Sequence, residues 1–529
     1  MVFEFGLRGR SRRAGRDDFR CERTASGQFR GRPDKRRSGW MAIAVTLTLG
    51  AIAAVAAPPA VAQSQLSCQA DPAEARQKET LRQAIVAGDA SVVADYQNLV
   101  RKHAREQAEC RQGSWPRDRA IWLNLYRCDA NFGEIDALFD RIANDGYSQV
   151  YLATLANGQV LLPGDDNPTP WPSVARSPAT ESIDLLANAI TAGRARGIEV
   201  HAWMFALNFG YAYSQREDRQ QALARNGRGQ TSLDRAVADT NAADGIFVDP
   251  YSPTVRRDYY TLLEAVLDRD PTGVVFDYIR YPRLSSADSV ADEVRDLWVY
   301  GPASRAALLD RADNPTRRSQ LETYLDTGRA PVITVTPPPQ PKPEEDDAAV
   351  RPAPAPTPTP APQTISLRDE FWEFSTDFAA QGVVDFLDYV AAPVRAERRD
   401  VGAAFFPRGN RAIGRGFDSR LQRWDDFSSS IVWHPMLYGG CNGTDCILDD
   451  LDRVLAAAPR GATVIPALAG AWSETSQGRH PPLELQMQAI ASRARSGSRG
   501  ANVNIDAVSH FSFGWQNPEL ERQRQFCQL

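Results

Sequence analysis

Short apolar runs alternate with longer amphipathic stretches along most of the chain. The runs are rich in Val, Ile, Tyr and Phe and predict eight strands, at 120–126, 148–155, 198–207, 273–279, 401–406, 431–438, 462–468 and 506–513. Between many of them the apolar positions recur at helical spacing, which predicts helices at 133–145, 181–196, 253–268, 366–396, 447–457 and 483–495. Eight strands with helical crossovers predict an α/β fold of the (β/α)8 TIM-barrel type. The rival is a doubly wound open sheet. That fold usually carries a Gly-rich phosphate loop after its first strand, and YRCDANFG (126–133) is not one.

Two segments break the rhythm. Residues 63–114 read as a helical extension, with helices at 71–87 and 90–109. Residues 331–363 hold twelve prolines, in TPPPQPKPEEDD and APAPTPTPAP, and favour an extended, solvated chain. This segment falls between strands four and five, inside a wider insertion at 284–365. An external excursion from one barrel (115–529) fits better than a boundary between two domains.

The ends of the chain change the picture of where it works. Residues 1–40 carry twelve Lys or Arg against five Asp or Glu, although the whole chain has a net charge of −5. This basic head leads into MAIAVTLTLGAIAAVAAPPAVAQS, an apolar run that exits through Ala60-Val61-Ala62. The pattern is that of a signal peptide over 1–62 with a long basic n-region; the alternative is an uncleaved membrane anchor. Without the leader the chain is acidic, which argues against nucleic acid as a partner. No later run is long and apolar enough to span a bilayer. An exported protein, periplasmic or beyond, is expected.

Cysteine usage agrees with export. Removing the leader removes Cys21 and leaves six cysteines in no zinc or thioredoxin pattern. An antiparallel helix pair would bring Cys68 to Cys110, and Cys441 and Cys446 can close a short loop. Cys128 and Cys527 remain as a third pair.

The chemistry gathers at FDYIRYP (276–282), where a buried strand ends in an acid, two tyrosines and an arginine. That stretch, with GIEVHAWMFALN (197–208) and FVDPYSPTVRRDYY (247–260), resembles the glycosyl-hydrolase-like 10 family of bacterial envelope proteins. AAFFP, HPMLYGG and VSHFSFGW follow in order, so the resemblance covers roughly 115–515. It implies a TIM-barrel glycosidase, and some members of the family look like enzymes that cut peptidoglycan glycan strands. A polysaccharide is the expected partner.

Barrel enzymes carry their chemistry at the C-terminal ends of strands. Asp277 there is the candidate general acid or nucleophile; the alternative is an ion pair with Arg280 that holds the loop. His201 and Trp203 lie two apart in a strand and face one side, where imidazole and indole suit a sugar. Trp203 serves equally as core packing. Asp249 is either a helix cap or a sugar contact. Arg280, Tyr281, His434, Tyr438, His510 and Trp515 complete the expected sugar-binding set. Most glycosidases need a second carboxylate. Glu474 is the first candidate and Asp249 the second, with Asp129, Asp165 and Asp166 in early loops. No Walker loop, HExxH or G-x-S-x-G is present, and the five histidines lack metal-ligand spacing, so neither metal nor cofactor is expected. A non-catalytic glycan binder and an envelope scaffold on the same barrel are the rival functions.

Overall fold

The computed structural model describes residues 68–234, 245–283, 289–335, 363–439, 441, 443–476, 480–497, 503 and 505–526. The leader, most of the Pro-rich segment and Cys527 lie outside them.

Eight parallel strands form one ladder: β1 (Asp118–Leu123), β2 (Gln149–Ala156), β3 (Glu199–Phe205), β4 (Gly273–Asp277), β5 (Asp400–Phe405), β6 (Val432–Pro435), β7 (Ala467–Ala469) and β8 (Ala507–Phe511). Their order is β6-β5-β4-β3-β2-β1-β8-β7. Two further bridges, Trp433 to Val464 and Met436 to Ala467, join β6 to β7 and close the cylinder. The register also behaves as a barrel requires. Followed once around the ladder, the register offsets between neighbouring strands sum to a shift of eight residues. A shear of about eight is that of a (β/α)8 barrel.

Strand alternation sorts the side chains. Trp122, Tyr151, Trp203, Val275 and Met436 point inward and pack together in the barrel interior. Their neighbours, such as Ile121, Leu152, Met204 and Phe276, point outward into the larger core beneath the helices. Around the barrel run α3 (Glu134–Asn144), α4 (Leu185–Ala195), α5 (Pro253–Leu267), α6 (Arg368–Ala396), α7 (Asp445–Ala457) and α8 (Leu483–Gly497). Pro253 opens α5 where its missing N–H costs nothing, and Ser252 caps it by accepting from the Val255 N–H.

The extension is a hairpin of α1 (Pro72–Val86) and α2 (Val93–Gln112). The Asp71 carboxylate caps α1. The Cys68–Cys110 disulfide ties the start of α1 to the end of α2, with Cα atoms 5.7 Å apart, and Cys441–Cys446 closes the short loop expected of it. Asp140 on α3 docks the hairpin, accepting from Tyr96 at 2.9 Å and from the Arg196 guanidinium at 2.9 Å. The Pro-rich segment leaves and returns at one place, because Val332–Val335 pairs antiparallel with Gln363–Ser366. Among the described residues no helix is long and apolar enough to cross a membrane.

Candidate active site

The site begins with the parity of β4. Val274 and Phe276 face the helices, so Val275 and Asp277 face the interior, with Asp277 as the last strand residue. It stands at the C-terminal mouth and is 7 % exposed. The strand stops there because Tyr278 turns left-handed, at φ 52°, a conformation unfavourable for a side-chain-bearing residue. Packing offsets that cost. The Tyr278 ring lies 4.4 Å from Phe205, and the Arg280 guanidinium covers it at 4.5 Å. The same turn aims the Tyr278 N–H at Asp277 Oδ1, 2.6 Å away, while the Trp203 indole Nε1–H donates to Asp277 Oδ2 at 3.2 Å. Each carboxylate oxygen is thus held by a named donor.

Aromatic rings surround this carboxylate. Phe511 at the end of β8 lies 6.2 Å from Trp203, 5.5 Å from Tyr438 and 5.8 Å from Trp515. Tyr438 and Trp515 are half-buried and present ring surface at the mouth. Burial, and then the nearby Asp277 charge, push the Tyr438 hydroxyl well above its ordinary range, so it is a neutral donor. Tyr278, expected near the rim, belongs to this wall, and so do Phe205 and Phe511, which sequence reasoning missed. The signal was present: Phe205 and Phe511 share parity with Trp203 and Ser509.

Other expected members go elsewhere. His201 and His434 do face the interior, but lower down. His201 sits one inward position below Trp203, with its Nε2 3.9 Å from Glu199 at the start of β3. His434 meets the edge of Tyr151 at 5.1 Å, fills the space left by Gly402 and is 2 % exposed. Burial first, and His201 second, bring its pKa down to about 3, so it stays neutral. The rim position expected of both is therefore corrected to the floor of the barrel.

His510 has the opposite parity to Ser509 and Phe511. It lies outside the wall, wholly buried, with Nδ1 3.0 Å from the Tyr147 hydroxyl and its ring 5.3 Å from Trp472. Tyr281 is likewise buried in the helix-side core, after the turn at Tyr278 has carried the chain out of the barrel. The Arg280 guanidinium stacks among the Tyr278, Phe406 and Phe247 rings.

Asp249 is fully buried. It accepts from the Ser304 N–H and hydroxyl at 2.9 and 2.6 Å and from the Tyr251 N–H at 2.9 Å. It caps the helix Pro302–Asp310 from a distance, not α5 and not a sugar. Burial raises its pKa despite these bonds. Asp129 is clamped by Arg524, and Asp166 pairs with Arg269, while Asp165 is exposed. Glu474 is exposed in the loop after β7, where its neighbour Ser473 donates to Glu484.

Metal-binding geometry is confined, among the described residues, to Glu74, His103 and Glu106 in the extension. Lys102 already pairs with both of these acids, so the group reads as an ion-pair network.

No family model matches the chain, and no curated protein matches it. Similar solved structures include a β-galactosidase from the psychrophilic Marinomonas ef1, at 10 % identity and TM-score 0.44, covering 75 % of this chain and 54 % of that one. The chain therefore spans about half the length of that enzyme. A GH18 chitinase from Pseudoalteromonas aurantia is 10 % identical at TM-score 0.34, covering 77 % and 99 %. The spore cortex-lytic enzyme SleL of Bacillus megaterium QM B1551 is 8 % identical at TM-score 0.31, covering 77 % and 74 %. What the closed ladder and its mouth define is a (β/α)8 barrel with a buried carboxylate ringed by aromatic side chains.

Proposed function

We propose that this protein is an exported glycoside hydrolase of the bacterial envelope, akin to the glycosyl-hydrolase-like 10 family, with peptidoglycan glycan strands as its preferred substrate. The observation that carries the reading is Asp277 at the mouth, held by Trp203 and the Tyr278 N–H among aromatic rings. Flat rings suit pyranose faces, and a carboxylate beneath them suits an anomeric centre. Asp277 either protonates the glycosidic oxygen as the C–O bond breaks and water adds to the anomeric carbon, or attacks that carbon and displaces the leaving sugar, whose oxygen takes a proton from water, to form a glycosyl ester that a second water then hydrolyses. Trp203 orients the carboxylate, and Tyr438 and Trp515 bind the sugar. The two disulfides support an oxidising compartment.

A second reading, a glycan-binding protein without turnover, is favoured by the exposed setting of Glu474, the leading candidate for a second acid. The deciding experiment measures reducing-end release from purified glycan strands by the protein and by Asp277→Asn, alongside a pull-down on the same strands. Release by the wild type alone supports the hydrolase. Equal binding by both proteins, with release by neither, replaces it with the binder.

A further inference from the structure

Tyr278 carries a left-handed backbone, at φ 52°, which a tyrosine keeps only where its surroundings hold it there. The chain around it is anchored. The Asp277 carbonyl accepts from the Ala206 N–H at 2.7 Å and the Ile279 carbonyl from Gln422 Nε2 at 2.9 Å. The Tyr281 N–H donates to the Arg420 carbonyl at 2.9 Å. A Tyr278 that relaxed towards negative φ would therefore swing the peptide that joins it to Asp277. That peptide carries the N–H that meets Asp277 Oδ1 at 2.6 Å.

The Tyr278 ring is held on two sides. Its centroid is 4.4 Å from that of Phe205 and 4.5 Å from the Arg280 guanidinium. Arg280 is 3 % exposed. Phe247 and Phe406 flank its guanidinium at 5.6 and 5.5 Å, and Nη1 donates to the Tyr281 carbonyl at 3.1 Å. A flat guanidinium fits among rings in a way that the compact, strongly hydrated ammonium of lysine does not. The attraction of a desolvated guanidinium for a ring is of the same order as the cost of a left-handed tyrosine, so its loss would tip the turn.

We propose that Arg280 is a positioning residue: stacked on Tyr278 from outside the mouth, it holds the turn that keeps the Tyr278 N–H on the Asp277 carboxylate. It acts through Tyr278 and not on sugar. What Asp277 is positioned for rests on the hydrolase reading; the positioning itself does not. A donor withdrawn from a carboxylate disfavours the charged form, so the carboxyl then titrates at higher pH. The nearby Tyr438 hydroxyl stays neutral throughout that range.

Carbon-13 carboxyl spectra of the full-length protein, labelled at aspartate, test this. The Asp277 signal is the one missing from Asp277→Asn. Arg280→Lys keeps the charge, loses the planar stack and should move the Asp277 titration upward by about one pH unit. Arg280→Met, which suits the ring cage should the lysine fold poorly, should move it the same way. Glycine adopts the left-handed turn without strain, so in a Tyr278→Gly background either substitution should leave the titration nearly unmoved. A titration unchanged by both substitutions in folded protein overturns the proposal. So does a shift of equal size in the glycine background, which would mean that Arg280 acts by its charge alone. The pH profile of reducing-end release, followed in parallel, should move with the carboxyl titration. A wild type that releases nothing removes the hydrolase reading, and the carboxyl titration still decides the role of Arg280.

Discussion

Replacing Gly402 with alanine tests how the barrel floor carries the mouth. A Cβ at this position would stand 2.5 Å from His434 Nε2, 2.8 Å from its Cδ2 and 3.3 Å from Val275 Cγ2. The imidazole has little room to retreat, because Tyr151 and Trp122 meet it edge-on at 5.1 and 6.4 Å. Overpacking of this kind costs about 1–3 kcal/mol, and a rigid ring between rigid neighbours places the expectation in the upper half, about 2–3 kcal/mol. His434→Ala alone leaves a cavity and costs a comparable amount. In the double variant the new methyl enters the vacated space, so Gly402→Ala should then cost close to nothing. The expected coupling is about 2 kcal/mol, read from urea midpoints followed by tryptophan fluorescence. Costs that add to within about 0.5 kcal/mol would refute the packing argument. Under the proposed function the double variant should also bind glycan strands as the wild type does, because His434 fills the floor of the barrel, below the mouth.

Three further outcomes are expected. Replacing Cys68 and Cys110 with serine frees a loop of sequence separation 42 and should lower stability by about 4 kcal/mol, measured against wild type under oxidising conditions. His434 and His510 have pKa values depressed by burial, to about 3 for the former. The folded state then binds fewer protons than the unfolded one below about pH 6.5, where free histidine titrates. Stability is full above that pH and falls by up to about 1.4 kcal/mol per unit for each histidine on the way down towards pH 3. Urea midpoints at pH 7 and 4.5 should show a smaller loss for His434→Gln than for wild type. Tyr281→Phe removes a buried hydroxyl that has no hydrogen-bond partner and should be neutral or stabilising by about 1 kcal/mol, with glycan affinity unchanged; a clear destabilisation would mean the hydroxyl is engaged.

Parity was the most legible feature of this chain. Period-two alternation in VVFDYI and HAWMF put Asp277 and Trp203 on one interior face, and the hydrogen bond between them follows from that. Apolar runs located all eight strands, and helical periodicity placed α5 and α6 to within a few residues. Strand ends were less legible. The prediction ran β4 to residue 279, but Tyr278 adopts φ 52°, and nothing in its side chain announces a left-handed turn. That single residue moves Tyr281 from the expected mouth into the helix-side core.

Depth was the property that parity could not supply. His201, Trp203 and His434 all point inward, yet one lines the mouth and two fill the floor. Height in a closed barrel depends on the stagger between neighbouring strands, which accumulates to a shear of about eight around the whole circuit. No single strand records it. His201 pairs in register with Gly273, the first residue of β4, whereas Phe205 pairs with Asp277, the last. Four residues of β3 thus separate floor from mouth, a rise of about 13 Å at the parallel-strand spacing. The same reasoning explains why an acid was hard to choose as a partner for Asp277. Such a group must match it in parity, in height and in position around the rim, and the loops after β4 and β7 that could supply one follow no period at all. Asp249 had a strand-like setting and an acidic side chain, but its three donors turn it to the support of a neighbouring helix. The mouth is therefore defined, among the described residues, by what the barrel geometry brings together: the Asp277 carboxylate, the Trp203 and Tyr278 donors that hold it, and rings from β3, β8 and the loops after β4, β6 and β8.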